Sequence, residues 1–189
     1  MRIAIFSEGR DDQAVIVNVL KGALGIESSD IIPLRPELTT DATDQSTQNT
    51  TLGGWSRVKK DCEEKERLEE FLDFNIDGKI VIHLDTAEAH EYGVTKPTKP
   101  NDLAQLKVYS QQLRLLIIDQ IKNWTKGEFE ESLWHAIAIE ETEAWLLPLF
   151  ISCAEESDWP DSIVWRGLVQ PVVIFAGYPF QWLRDLWLP

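Results

Sequence analysis

Basic residues, cysteine and histidine are all scarce in this chain. Eighteen Lys and Arg face 32 Asp and Glu, which gives a formal net charge of −14 and a pI near 4.6. That balance excludes a duplex-coating protein held by a broad basic surface. It leaves room for a local phosphate contact assisted by divalent cations, or for a partner that supplies the basic surface. The two cysteines, Cys62 and Cys153, cannot form a disulfide framework, and neither has metal-ligand spacing to another cysteine. A reduced, cytoplasmic setting is the simplest expectation. No run reaches the roughly 18–20 apolar residues that span a bilayer. Met1-Arg2-Ile3 enters a strand at once, so neither a signal peptide nor a membrane association is expected. The chain also lacks a Gly-x-Ser-x-Gly elbow, a Gly-rich phosphate loop with Lys, and a His-Glu-x-x-His helix. Of its three histidines, His83 and His135 lie inside apolar runs and read as core residues. His90 falls in a loop, where it is open to substrate or metal.

What is present is an α/β pattern. At 189 residues and 43% apolar content the chain is long enough for one domain with a sizeable core. Short β-branched runs at 2–6, 31–34, 80–84 and 133–139 read as strands, the third as one buried on both faces. Helical spacing appears at 13–24 (Ile16, Val19, Leu20, Ala23), at 56–74 (Val58, Cys62, Leu68, Leu72) and at 101–124. The last of these carries the stripe Leu103, Leu106, Tyr109, Leu113, Ile117 and Ile121, with Asn101 as its cap. Asp11 or Asp12 caps the first helix and Gly25 stops it. A further helix is expected after Thr142, holding Ala144, Trp145, Leu146 and Leu147. Residues 39–54 are polar and aperiodic and read as a mobile surface loop. The order βαβαβαβα predicts a four-stranded, mainly parallel sheet with helices on both faces.

This domain is assigned to residues 1–156. The remainder, 157–189, changes to Trp, Pro, Val and Ile without Glu or Lys, and holds Trp159, Trp165, Trp182 and Trp187 of the eight tryptophans. It reads as an added packing element, a docking surface for another chain, or foreign sequence after a truncation. An exposed apolar tail of this kind favours oligomerisation.

Acidic residues recur where strands end. Residues 2–6 stop at Ser7-Glu8-Gly9, 80–84 at Asp85-Thr86-Ala87-Glu88, and 133–139 at Glu140-Glu141, with Glu143 close behind. Parallel sheets place their chemistry beyond the carboxyl ends of the strands. Magnesium and manganese take oxygen ligands, often one or two carboxylates completed by water and substrate phosphate. Glu8, Asp85, Glu88 and Glu140 are therefore candidate ligands of Mg²⁺ or Mn²⁺, and a carboxylate off the metal could move a proton. Each residue has an ordinary alternative. Glu8, Glu140 and Glu141 can be simply solvated, Asp11 and Asp12 can be helix caps, and Glu143 suits a first helical turn. Lys96 and Lys99, stiffened by Pro97 and Pro100, make a basic loop that is either a phosphate clamp or a solvated segment.

The ordered set of motifs resembles the TOPRIM domain, the metal-binding fold of topoisomerases, bacterial primases and the overcoming-lysogenization-defect nucleases. Ile5-Phe6-Ser7-Glu8-Gly9-Arg10-Asp11-Asp12 looks like its strand ending in Glu-Gly, and Leu84-Asp85-Thr86-Ala87-Glu88 like its Asp-x-Asp motif. The phrase Ile137-Ala138-Ile139-Glu140-Glu141-Thr142-Glu143-Ala144-Trp145-Leu146-Leu147 is similar to a segment of small stand-alone TOPRIM-like proteins of bacteria. Several of those look like components of anti-phage defence systems, often beside an ATPase. The resemblance covers about residues 1–150. It implies that Glu8 is a metal ligand or general acid/base and that Asp85 is a metal ligand; Arg10, Lys96 and Lys99 are the candidate substrate-binding residues beside them. It implies phosphodiester cleavage of DNA or RNA with Mg²⁺ or Mn²⁺. One position departs from the pattern: the second acid of Asp-x-Asp is Ala87. Glu88 substitutes for it, or the protein is naturally inactive, or the chain is a disabled variant. The alternative to a nuclease is a non-catalytic TOPRIM-like or receiver-like binding module within a protein complex.

Overall fold

The computed structural model describes residues 1–36 and 54–140. The helix expected after Thr142, Glu141, Glu143 and the segment 157–189 lie outside the described residues, as does nearly all of the loop expected at 39–54. The described elements run β1 (Ile3–Phe6), α1 (Arg10–Leu24), a 3₁₀ turn (Ser28–Asp30), β2 (Ile31–Arg35), α2 (Gly54–Glu64), α3 (Glu66–Phe74), β3 (Lys79–Asp85), α4 (Leu103–Thr125) and β4 (Leu133–Ala138). The four strands form one parallel sheet in the order β2-β1-β3-β4. No helix among the described residues is long and apolar enough to cross a membrane.

Each central strand is apolar on both faces, and the alternation sorts its residues between two cores. Ile3, Ile5, Val81, Trp134 and Ala136 pack with Ile16 and Leu20 of α1. Ala4, Phe6, Ile80, Ile82, Leu84 and Ile137 pack with Val58, Leu68, Leu113, Ile117 and Ile121 of α2, α3 and α4. Helices thus cover both faces. Right-handed crossovers require this division, because the chain moves outward from β1 to β2 and then returns across β1 to β3 and β4. The reversal occurs between β1 and β3. Their carboxyl ends therefore flank the crevice where open α/β sheets bind ligands.

Three boundaries differ from the sequence expectation, each for a local reason. α1 starts at Arg10 because Gly9 is its cap, and the Gly9 N–H donates to Asp12 Oδ2 at 2.8 Å. The single helix expected at 56–74 is two, broken at Lys65 in the left-handed region (φ 64°). A lysine carries no turn signal, so composition did not mark the break. The amides of Gln105 and Leu106 bond the Asp102 carbonyl, so α4 starts from Asp102 rather than Asn101. Its stripe is otherwise as expected: Tyr109, Leu113, Ile117 and Ile121 are buried and Leu106 is half-buried.

The end of β2 is tied down by charge. Arg35 holds Asp61 of α2 through two bonds, Nε–Oδ2 at 2.6 Å and an Nη2–Oδ1 contact at 2.9 Å, and Arg67 Nε lies 3.7 Å from the same carboxylate. Asp61 is only 5% exposed. Removing one partner of a buried pair strands the other, at about 3 kcal/mol. Asp61→Ala is therefore expected to lower unfolding free energy by about 3 kcal/mol in urea titration. A loss below ~0.5 kcal/mol would mean that the pair is solvent-screened.

Candidate functional site at the carboxyl edge of the sheet

The site begins where β1 runs out. Phe6 pairs with Ile82 in β3, so the next residues of both strands continue side by side toward the same edge. Ser7 is fully buried, with Oγ 3.0 Å from the Gly9 carbonyl and 3.2 Å from that of Arg35. This fixes the turn and aims Glu8 at β3. The Asp85 N–H donates to Glu8 Oε1 at 2.8 Å across 77 residues of sequence. The two acids that the sequence placed at separate strand ends therefore meet.

Their meeting has an electrostatic signature. Burial pushes the Glu8 carboxyl up from its ordinary value of 4.5 to about 8, and the charges of Asp85, Asp12 and Glu88 push the same way. The bond from the Asp85 amide opposes them. Asp12, expected to cap the helix, instead lies in its first turn and accepts the N–H of the cap residue Gly9, and it also adds negative charge beside Glu8. Glu88 is exposed and acts on Glu8 through space.

Asp85 is held by its own turn. Its Oδ1 accepts the Ala87 N–H at 3.0 Å, and its carbonyl accepts the Tyr92 hydroxyl at 2.6 Å. Tyr92 is buried between Trp55 and Trp124, with ring centroids 5.5 and 5.9 Å away. Burial and the charges of Glu8, Asp85 and Glu88 raise its phenol well above the usual range. Trp55 Nε1 donates to Glu91 Oε2 at 3.1 Å, linking α2 to the loop that follows Asp85.

The turns after β3 and β4 are joined as well. Thr86 N–H bonds the Ala138 carbonyl at 3.0 Å, Ala87 N–H the Glu140 carbonyl at 3.1 Å, and Glu140 N–H the Thr86 Oγ1 at 2.7 Å. The Glu140 side chain turns to lysines: Lys99 Nζ lies 3.1 Å from Oε1 and Lys96 Nζ 3.9 Å from Oε2. Lys96 also donates to the Ala87 carbonyl at 2.8 Å. The basic loop therefore does reach the acidic edge. Arg10 is exposed at the start of α1, two residues beyond Glu8. His90 is exposed in the loop. His83 and His135 are buried and held neutral, both pushed down to about 4 chiefly by burial.

Among the described residues, no group of three or more His, Cys, Asp or Glu side chains gathers closely enough to hold a metal ion. The site thus offers the adjoining pair Glu8 and Asp85, with Glu88 and Asp12 near enough to feel.

The sequence reading missed Tyr92, Thr86 and Gly54. Gly54 opens α2 against the Glu8 backbone: a Cβ there would lie 2.6 Å from the Glu8 carbonyl oxygen and 2.7 Å from its Cβ. The Gly53-Gly54 doublet was the available signal, and it was absorbed into the loop. Gly54→Ala is expected to cost about 2 kcal/mol by overpacking and to displace Glu8. Urea titration of the variant, with the Glu8 carboxyl followed by NMR, checks both.

Glu8 also sets a pH dependence. Its folded value lies above its unfolded value, so its contribution to stability is complete below about pH 4.5 and fades as pH rises through about 8. Glu8→Gln is expected to flatten the stability profile between those limits and to add on the order of 2 kcal/mol at pH 9. Parallel profiles for the two proteins in urea melts would show that the acid is not strained.

No protein-family model, no curated protein and no solved structure matches this chain, so its chemistry rests on the geometry of the edge itself.

Proposed function

We propose that this chain is a TOPRIM-like, divalent-metal-dependent nuclease that hydrolyses phosphodiester bonds of DNA or RNA. It acts as the effector of a bacterial defence complex, with a partner such as an ATPase. The observation that carries the reading is the contact of Glu8 with Asp85 at the point where the sheet reverses direction. Burial first, and the neighbouring charge of Asp85 second, make Glu8 hold its proton to about pH 8. A divalent cation relieves the same strain, so the donor set fits Mg²⁺ or Mn²⁺, with Glu8 and Asp85 as ligands and Glu88 beside them. When bound, such an ion makes a water more acidic and neutralises charge on a phosphate.

The chain's own groups divide the remaining work. With no ion bound, Glu8 keeps its proton to about pH 8, chiefly through burial, so uptake of an ion would displace that proton to solvent. Asp85 is oriented by the Ala87 amide and, through its carbonyl, by Tyr92. Lys96, Lys99 and Arg10 supply positive charge for a phosphate in an otherwise acidic protein.

Ala87 favours a second reading, a module that keeps the fold and binds without cleaving, because alanine offers no oxygen where the resemblance asks for an acid. The two separate in one experiment. Protein carrying Ala87→Asp is incubated with Mn²⁺ and either plasmid or tRNA. It is expected to cleave at least tenfold faster than the parent, and Glu8→Gln or Asp85→Asn in the same background to abolish cleavage. If Ala87→Asp protein leaves both substrates intact, with and without its partner, the binding-module reading replaces the nuclease.

A further inference from the structure

The lysines beside the rim already hold an anion. Glu140 leaves β4 with a left-handed backbone (φ 70°), and its main chain is pinned by Thr86 Oγ1 and the Ala87 amide. None of that depends on its side chain. The carboxylate instead bridges two ammonium groups, Oε1 to Lys99 at 3.1 Å and Oε2 to Lys96 at 3.9 Å. Lys96 is anchored at 2.8 Å to the carbonyl of Ala87, whose amide donates to Asp85 Oδ1 at 3.0 Å. The lysine pair therefore stands one residue from the carboxylate of the rim. All three side chains keep partial access to solvent, with Lys96, Lys99 and Glu140 exposed by 26, 53 and 41%.

A carboxylate spread over two ammonium groups presents the same two-oxygen face as a phosphate. We propose that Lys96 and Lys99 form a phosphate seat that Glu140 occupies in the resting protein and vacates when a phosphate group arrives. This rests on the nuclease reading for its substrate and reassigns Glu140, expected from the sequence as a metal ligand, to a gate. The exposed ion pairs are weak enough to exchange, because solvent screens them. The pinned backbone lets the side chain leave without disturbing the turn. The seat gives an acidic protein a local, switchable contact with a polyanion.

The test needs no metal and no cleavage. Binding of inorganic phosphate and of the oligonucleotide dT8 is measured in EDTA by calorimetry, for the parent chain, Glu140→Gln and Glu140→Gln with Lys99→Met. Lys99 is chosen because its described bond goes to Glu140 alone, so its loss leaves the Ala87 contact intact. Glu140→Gln is expected to bind about fivefold tighter than the parent at unchanged melting temperature, and Lys99→Met to cancel the gain. The probe that gains more identifies the source of the phosphate, a nucleic-acid backbone or a free anion. Equal affinity of parent and Glu140→Gln, a gain that survives Lys99→Met, or no binding to either probe overturns the seat. Cleavage is scored separately. An Ala87→Asp chain that leaves both substrates intact but shows the expected binding pattern sinks the nuclease reading alone, and a cleaving one without that pattern sinks the seat alone.

Discussion

One hydrogen bond organises the carboxyl edge: the amide of Asp85 pointing at the carboxylate of Glu8. It spans the two strands between which the sheet changes direction, and everything around it serves to keep it. Ser7 is buried so that the turn after β1 is rigid. Gly54 has no side chain so that α2 can press against the Glu8 backbone. Tyr92 reaches from the following loop to the Asp85 carbonyl. The bond also limits the unfavourable charge it creates, since a donated N–H favours the ionised carboxylate that burial and Asp85 oppose. The balance leaves Glu8 with a proton in the physiological range, where few carboxyl groups titrate.

A second set of contacts joins the neighbouring turns. The turns after β3 and β4 exchange three bonds through Thr86, Ala87 and Glu140, and Lys96 closes the group on the Ala87 carbonyl. Acidic and basic elements thus share one backbone frame. That frame sets Lys96 and Lys99 against the acidic edge in a chain whose net charge is −14.

Much of the architecture was legible because buried parallel strands write themselves as short apolar runs, and the acids after Phe6 and at Asp85 stood out against them. Strand order was not legible, since the pattern says that a strand is buried but not which neighbour it pairs with. The meeting of Glu8 and Asp85 was inferable only as a general property of parallel sheets. Contacts that depend on a missing side chain, such as Gly54 on Glu8, leave a weak trace in one sequence. The break at Lys65 left none, because lysine rarely takes a left-handed backbone. Glu140 was read by its charge and position, and the lysines that claim its side chain come from 41 and 44 residues earlier.

Gln13 Nε2 lies 3.2 Å from the Arg35 carbonyl and 3.3 Å from that of Pro36, and Arg35 in turn receives the Ser7 amide. On the far side of residues 37–53, Gly54 rests on Glu8. Both stems of that stretch are rooted within a residue of the same acid. The position of Glu8 therefore depends at once on the end of β2 and on the start of α2, two segments that are distant in sequence.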